Sequence, residues 1–448
     1  MNNNYTFDSR LIALREKKMA QTHKKLELNG YMDEDDYGSV PPPEGFEFIP
    51  EFNDKINNTF YGAKLWGKNF RALMESHPVY VDPNDALAGR WMFILQRLRP
   101  FDSATSVNNM EMAPEFDYSH LKPVQEKYSL MPGIGKMHHF APDIHIGLEL
   151  GWGGLLEKVR HYQARCTPDQ EEFYRAEEDV LIGICDWIKR TISVIRDLEV
   201  AESDLAKKEN LRLMGEANEW ILSNPPRNLR EATQMIAWFN MASRTFNRAG
   251  AGCQLDEMLR PYYEYDKRVN GLTDEEAMFI IACLLLVDPH YYQIGGPDRN
   301  GKDVTSSMSY LILEAAHALK SSANLTIRVH DGMDERLFER GLEILFTDKK
   351  AYPRFSGDKA LVNGFMKNNY SAELARERIA VGCNWMSLPG VEYTLNDLVK
   401  VNFAKVFEVA FNEYQETEHQ ERTEGLFDLF EKHLGGFCTS PQKGSIQL

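Results

Sequence analysis

Between about residue 150 and residue 290, apolar positions recur every three or four residues, the period of helices with one buried face. Asn228-Leu229-Arg230-Glu231 has the spacing of a capping box and opens a run with Leu229, Ala232, Ile236 and Phe239 on one face. Thr273-Asp274-Glu275-Glu276 repeats that signal ahead of a more buried helix through Val287, and Pro225-Pro226 separates the first of these helices from its predecessor. From 304 the pattern changes. A helix over 304–320 precedes Leu325-Thr326-Ile327-Arg328-Val329, which alternates with period two. A helix over 335–346, a short segment near Pro353-Arg354-Phe355 and a helix over 372–378 follow. Ile379-Ala380-Val381-Gly382-Cys383 then reads as a buried strand ending in a loop. Thr394-Leu395-Asn396-Asp397 reads as the cap of another helix, with Val399, Phe403, Val406 and Ala410 on one face. Strands alternating with helices predict an α/β fold with a parallel sheet or barrel. Chemistry in such folds sits on loops at strand carboxyl ends, and Cys383 falls where such a strand ends.

The two ends break the pattern. Residues 1–60 read as an extended arm, with an acidic stretch at 33–36, the segment Pro41-Pro42-Pro43-Glu44-Gly45 and a short basic helix over 11–26. Residues 434–448 are Gly- and Ser-rich without periodicity and read as a disordered tail. No internal repeat is visible.

Composition narrows the partners. A formal net charge of −16 argues against nucleic acid and anionic membrane. No run approaches the roughly 18 apolar residues of a membrane-spanning helix. The first ten residues lack the apolar core of an export signal, so a cytoplasmic protein is expected. The six cysteines form no CxxC pair and are expected reduced; Cys283, in an apolar run, reads as a buried core residue.

The sharpest chemical feature is Val381-Gly382-Cys383-Asn384-Trp385. A cysteine after a glycine on a strand-end loop suits close approach to a substrate, although spacing alone favours a buried cysteine in a turn. A Cys-His hydrolase lacks support, since no histidine follows before His419. Gly296-Pro297-Asp298-Arg299-Asn300-Gly301-Lys302-Asp303 has the spacing of a phosphate loop. Asp303 replaces the required hydroxyl, however, and Pro297 removes an N–H, so the ordinary reading is a turn feeding a helix. His138, His139 and His145 do not have HExxH spacing and predict no metal. Asp256 and Asp298, beside Gly and aromatic residues, suit pockets and turns equally, and no paired acid and base is evident.

Taken together, the segments over about 60–415 resemble the glycyl radical enzyme family, which contains pyruvate formate-lyase and related dehydratases and decarboxylases. His139-Phe140-Ala141-Pro142-Asp143 with Gly151-Trp152-Gly153-Gly154-Leu155 resembles the family's Gly-His segment and glycine-containing helix, with His138 where Gly is usual. Gly252-Cys253-Gln254-Leu255-Asp256 through Pro261-Tyr262-Tyr263 and Asp266 resembles its Gly-Arg-x-Asp-Gln and Pro-Tyr-Tyr stretch, with Cys253 in place of Arg. Gly295-Gly296 to Gly301-Lys302-Asp303 with Ser309 and Leu311, Leu325-Thr326-Ile327-Arg328, Pro353-Arg354-Phe355-Ser356-Gly357-Asp358 and the cysteine loop complete the match.

The resemblance implies a ten-stranded α/β barrel made of two five-stranded parallel halves. This chain would supply a helical amino-terminal region and about one half of it, as an incomplete pyruvate formate-lyase-like domain over 61–433. It implies that Cys383 passes hydrogen between a stored glycyl radical and a small organic substrate. A radical S-adenosylmethionine activating enzyme would install the radical; neither metal nor nucleotide is expected, and a homo-oligomer is. The residues expected to face substrate are His139, Asp143, Asp298, Asn384 and Trp385. Two departures stand out. Trp385 replaces the Glu that dehydratases and decarboxylases carry, and Asn384 excludes the paired cysteines of pyruvate formate-lyase, which leaves Glu392 as the candidate carboxylate. The glycyl motif Arg-Val-x-Gly-Tyr is absent. A complementary chain is therefore expected to supply it, or the product is truncated, and this chain alone is expected to be inactive. The alternative is a non-catalytic homologue or binding protein.

Overall fold

The computed structural model describes residues 5–29, 38–53, 55, 60, 62–92, 122–129, 131–132, 139–246, 252–289, 291–320, 323–382, 385–394, 399–400, 402–416 and 425–435. Two compact units result, one of residues 1–100 and 139–394, the other of 101–138 and 395–448.

The first unit begins as packed helices. The longest, Glu171–Ala201, buries Ile184, Trp187, Ile188 and Ile195 along one face. It meets the helix Ala63–Ser76 at Gly67, where a Cβ would stand 2.5 Å from the Cα of Ala176, so the two backbones touch only because that side chain is missing. The expected caps form. Asn228 Oδ1 accepts from the Glu231 N–H at 2.9 Å to start Leu229–Phe246, and Thr273 Oγ1 accepts from Glu276 N–H at 3.1 Å to start Asp274–Val287. This last helix is buried all round from Phe279 to Val287, as its unbroken apolar run requires. The amino-terminal helix is longer than its basic stretch suggests: Phe7–Asn29 is helical, with Leu14 buried and the Phe7 ring 5.2 Å from that of Phe279.

The helices carry a sheet of four parallel strands, Cys253–Gln254, Tyr292–Ile294, Leu325–Val329 and Arg354–Gly357, each paired with the next in sequence. The helices Leu255–Val269, Asp274–Val287, Ser307–Leu319 and Glu335–Asp348 make the crossovers, the arrangement that parallel pairing demands. Alternation divides the strands into two faces. Cys253, Tyr292, Ile294, Leu325 and Ile327 join the core beneath the helices. Gln254, Gln293, Thr326, Arg328, Arg354 and Ser356 line the other face. Register sets Gln254, Gln293, Thr326 and Arg354 side by side across all four strands.

Two sequence expectations need correction. Ile379–Val381 does not extend the parallel sheet; it pairs antiparallel with Trp385–Ser387, Val381 opposite Trp385. The intervening three residues leave no length for a crossover helix, which a further parallel strand would need. Thr394 does not cap a helix either: it pairs with His139 in a short antiparallel ladder. In the second unit Val399 belongs to a strand paired with Met131–Pro132, and the helix Phe403–Glu416 starts later, with Asn402 Oδ1 accepting from Lys405 N–H at 3.0 Å. Val406 and Ala410 are buried on it as expected, whereas Phe403 is exposed. Of the tail, 436–448 lies outside the described residues.

Candidate functional site

The hairpin formed by Ile379–Val381 and Trp385–Ser387 lies against the polar face of the sheet. Cys383 and Asn384, between its strands in sequence, lie outside the described residues, and at His139 and Trp385 the backbone alone is described. What holds the hairpin is nonetheless explicit. Ala380 N–H donates to Gln293 Oε1 at 3.0 Å, and Gln293 Nε2 donates to the Arg378 carbonyl at 3.4 Å. Arg354 Nη1 donates to the Gly382 carbonyl at 2.9 Å, while its Nη2 donates to Thr326 Oγ1 at 3.1 Å. In an antiparallel pair alternate residues turn their N–H and C=O away from the partner strand. Here the groups of 378, 380 and 382 turn toward the sheet floor, and side chains satisfy them in place of a further strand.

Apolar packing sets the other side. Ile379 and Val381 cluster with Ala141. A Cβ on Gly252 would stand 2.3 Å from Val381 Cγ1, so the residue preceding the first parallel strand must be glycine for the hairpin to seat. At the hairpin base Arg378 Nη2 donates to Glu392 Oε1 at 2.5 Å, and Glu392 Oε2 accepts from Leu388 N–H at 3.0 Å. The Arg378 guanidinium also lies 3.6 Å from the Phe365 ring centroid and 4.1 Å from that of Tyr370. Both oxygens of Glu392 are thus engaged in closing the 388–392 turn.

The remaining expected site residues scatter. Asp143 is exposed and packs beside Gly390, whose N–H donates to the Ala141 carbonyl at 2.7 Å. Asp298 accepts from Asn300 N–H at 2.8 Å and Lys302 N–H at 2.9 Å, and these backbone bonds hold its carboxyl below the usual range. The same bonds occupy amides that a phosphate loop would present, so the 296–303 segment is a turn closed by its own aspartate. A cleft of about 280 Å³ lined by Arg260, Tyr263, Lys267, Arg268 and Ser306 shares no residue with the hairpin. Among the described residues no group of three or more His, Cys, Asp or Glu could hold a metal ion.

Sequence reasoning missed Gln254, Gln293 and Arg354, and it left Asp256 open between pocket and turn. Asp256 is fully buried and accepts from Gly295 N–H at 2.7 Å, Glu257 N–H at 2.9 Å, Ser309 Oγ–H at 2.5 Å and Gln254 Nε2 at 2.7 Å. Burial nonetheless pushes its carboxyl up, against the pull of those donors. The signal for the missed residues was the period-two alternation itself, whose polar positions are those that face the hairpin.

Comparison with known proteins agrees with this architecture. The family described as Pyruvate formate lyase-like matches residues 124–427. Isethionate sulfite-lyase of Oleidesulfovibrio alaskensis is 24% identical over 336 residues, covering 68% of this chain and 40% of that protein. A glycyl radical enzyme from Archaeoglobus fulgidus superposes with a TM-score of 0.70 at 17% identity, covering 97% of this chain and 64% of that one. A Roseburia inulinivorans structure of 1,2-propanediol dehydration gives a TM-score of 0.73 at 15% identity, covering 99% of this chain and 63% of that one. The chain thus spans about two fifths of the length of the curated relatives it matches, and under two thirds of the solved structures. By the family match over most of its length, this chain belongs to the pyruvate formate lyase-like family, the glycyl radical enzymes.

Proposed function

We propose that this chain supplies the thiol half of a glycyl radical lyase. Cys383 gives its S–H hydrogen atom to a glycine Cα radical, forming a C–H bond and a thiyl. The thiyl then takes a hydrogen atom from a substrate C–H, restoring S–H and leaving a substrate radical whose neighbouring bond breaks. The arrangement of the cysteine hairpin over the polar face of a parallel half-barrel carries this reading, because rigid seating at a strand-end face is what a hydrogen-atom relay requires. Family membership supports the radical chemistry, and the absence of Arg-Val-x-Gly-Tyr from this sequence assigns the glycine to a second polypeptide. A radical S-adenosylmethionine activating enzyme installs the radical. Substrate contact falls to His139, Asp143, Asn384 and Trp385. Glu392, with both oxygens engaged, positions the hairpin base, and Asp298 holds its own turn.

The test is anaerobic co-expression with an activating enzyme and a polypeptide bearing the glycyl motif, followed by electron paramagnetic resonance and assay of diol, sulfonate and hydroxyproline substrates. A glycine-centred doublet is expected in both wild type and Cys383→Ala, with turnover in wild type alone. Turnover that survives Cys383→Ala overturns the relay. A doublet with no hydrogen exchange into any substrate points instead to a binding homologue.

A further inference from the structure

The bonds beneath the hairpin form one directed chain. Asp256 has two oxygens and accepts on both: Oδ2 from Gly295 N–H and Ser309 Oγ–H, Oδ1 from Glu257 N–H and Gln254 Nε2. An ionised carboxylate can only accept, so the end of Gln254 turned toward it must be the NH2 group. That fixes Gln254 Oε1 toward the next strand, where it accepts from Gln293 Nε2 at 2.7 Å. Gln293 is 1% exposed, so its amide cannot exchange its partners for water. With its NH2 group turned to Gln254 and the Arg378 carbonyl, Gln293 is left with Oε1 as the acceptor for Ala380 N–H. Each amide would fail to pair if flipped, because two carbonyl oxygens or two NH2 groups would then meet.

We propose that Asp256, acting through Gln254 and Gln293, sets the orientation of the amide that anchors the Cys383 hairpin, making these three positioning residues for the thiol. The functional consequence rests on the relay reading above; the anchoring itself does not. Asp256 does not touch the hairpin. Its influence passes through two side chains, each with one donor end and one acceptor end, on neighbouring strands in matched register.

Hydrogen–deuterium exchange of the full chain, read on peptides covering 378–388, tests this. Gln254→Leu leaves the Asp256 bonds to Gly295, Glu257 and Ser309 in place and removes only the link. It should speed exchange at Ala380 by about tenfold, the scale of one buried hydrogen bond, with peptides of Glu171–Ala201 unchanged. In a Gln293→Leu background, adding Gln254→Leu should change exchange by no more than about twofold, since both act along one path. Asp256→Asn, which removes the fixed polarity, should match Gln254→Leu in direction where it folds. Unmoved exchange in Gln254→Leu, or a full tenfold effect that persists in the Gln293→Leu background, overturns the proposal. Loss of the glycine-centred doublet would instead strike the relay reading and leave this exchange cycle intact.

Discussion

The two faces of the parallel strands are equally dry and chemically opposite. On one, Tyr292, Ile294, Leu325 and Ile327 pack beneath helices; on the other, Gln293 is 1% and Thr326 0% exposed, as fully covered as Ile327 at 0%. Alternation of apolar and polar residues ordinarily marks a strand with one wet face. Here no water is available to the polar face, so its donors and acceptors must pair with something, and what they pair with is the cysteine hairpin. The apolar face stabilises the unit through area removed from water, which is non-directional. The polar face contributes little net stability per bond but fixes a geometry, because hydrogen bonds lose their worth when misaligned.

If that division holds, mutations on the two faces should separate stability from positioning. The largest stability effect belongs to the apolar face. Ile327→Ala should cost about 2–5 kcal/mol in urea unfolding, since Ile327 Cδ1 fills the space above Gly341, where a Cβ would stand 2.5 Å away. Arg354→Met should cost less, about 1–3 kcal/mol, by leaving the Gly382 carbonyl and Thr326 Oγ1 without that donor. Its turnover in the reconstituted enzyme should nevertheless fall about a hundredfold, the scale of an ångström-sized displacement of a reacting group. An Ile327→Ala protein that loses turnover out of proportion to its folded fraction would blur the comparison. Gly252→Ala comes third, at about 1 kcal/mol, because the hairpin can shift to admit the methyl group that meets Val381. Faster exchange at 378–382 with an intact helical body is the expected signature.

How much of this the sequence reveals follows the same division. Helices with one apolar face and clear caps, such as those begun by Asn228 and Thr273, are legible because local spacing decides them. The strand Leu325–Val329 is legible too, and the family resemblance locates the cysteine loop. The hairpin is not, since Ile379–Val381 has the composition of a buried parallel strand and the brevity of the return is the sole local clue. Val399 misled for the same reason: a β-branched residue near a helix fits either element, and pairing with Met131–Pro132 decides it from far along the chain. Gln254, Gln293 and Arg354 were illegible as site residues because a polar position on an alternating strand looks solvated until something is known to cover it.

The smallest expected effect tests the border between the two faces. Glu257 opens the helix that follows the first parallel strand, and its Oε2 accepts from Arg260 Nη2 at 2.9 Å. Partial burial, then the neighbouring Asp256 carboxylate, pushes its carboxyl up from 4.5 to about 7. The folded protein therefore holds this proton more tightly than the unfolded chain between those values. The group's contribution to stability is complete below about pH 4.5 and is lost as pH rises through about 7. Because the carboxyl is half open to solvent, the loss should reach only about 1 kcal/mol. Glu257→Gln should remove it, so that urea unfolding at pH 5 and pH 8 gives a wild-type-minus-variant difference that shrinks toward acid. Equal differences at both pH values would mean that Glu257 does not titrate in this window. A difference confined to exchange of the 378–388 peptides, with global stability flat, would instead place its charge on the hairpin's side of the sheet, where Asp256 already acts.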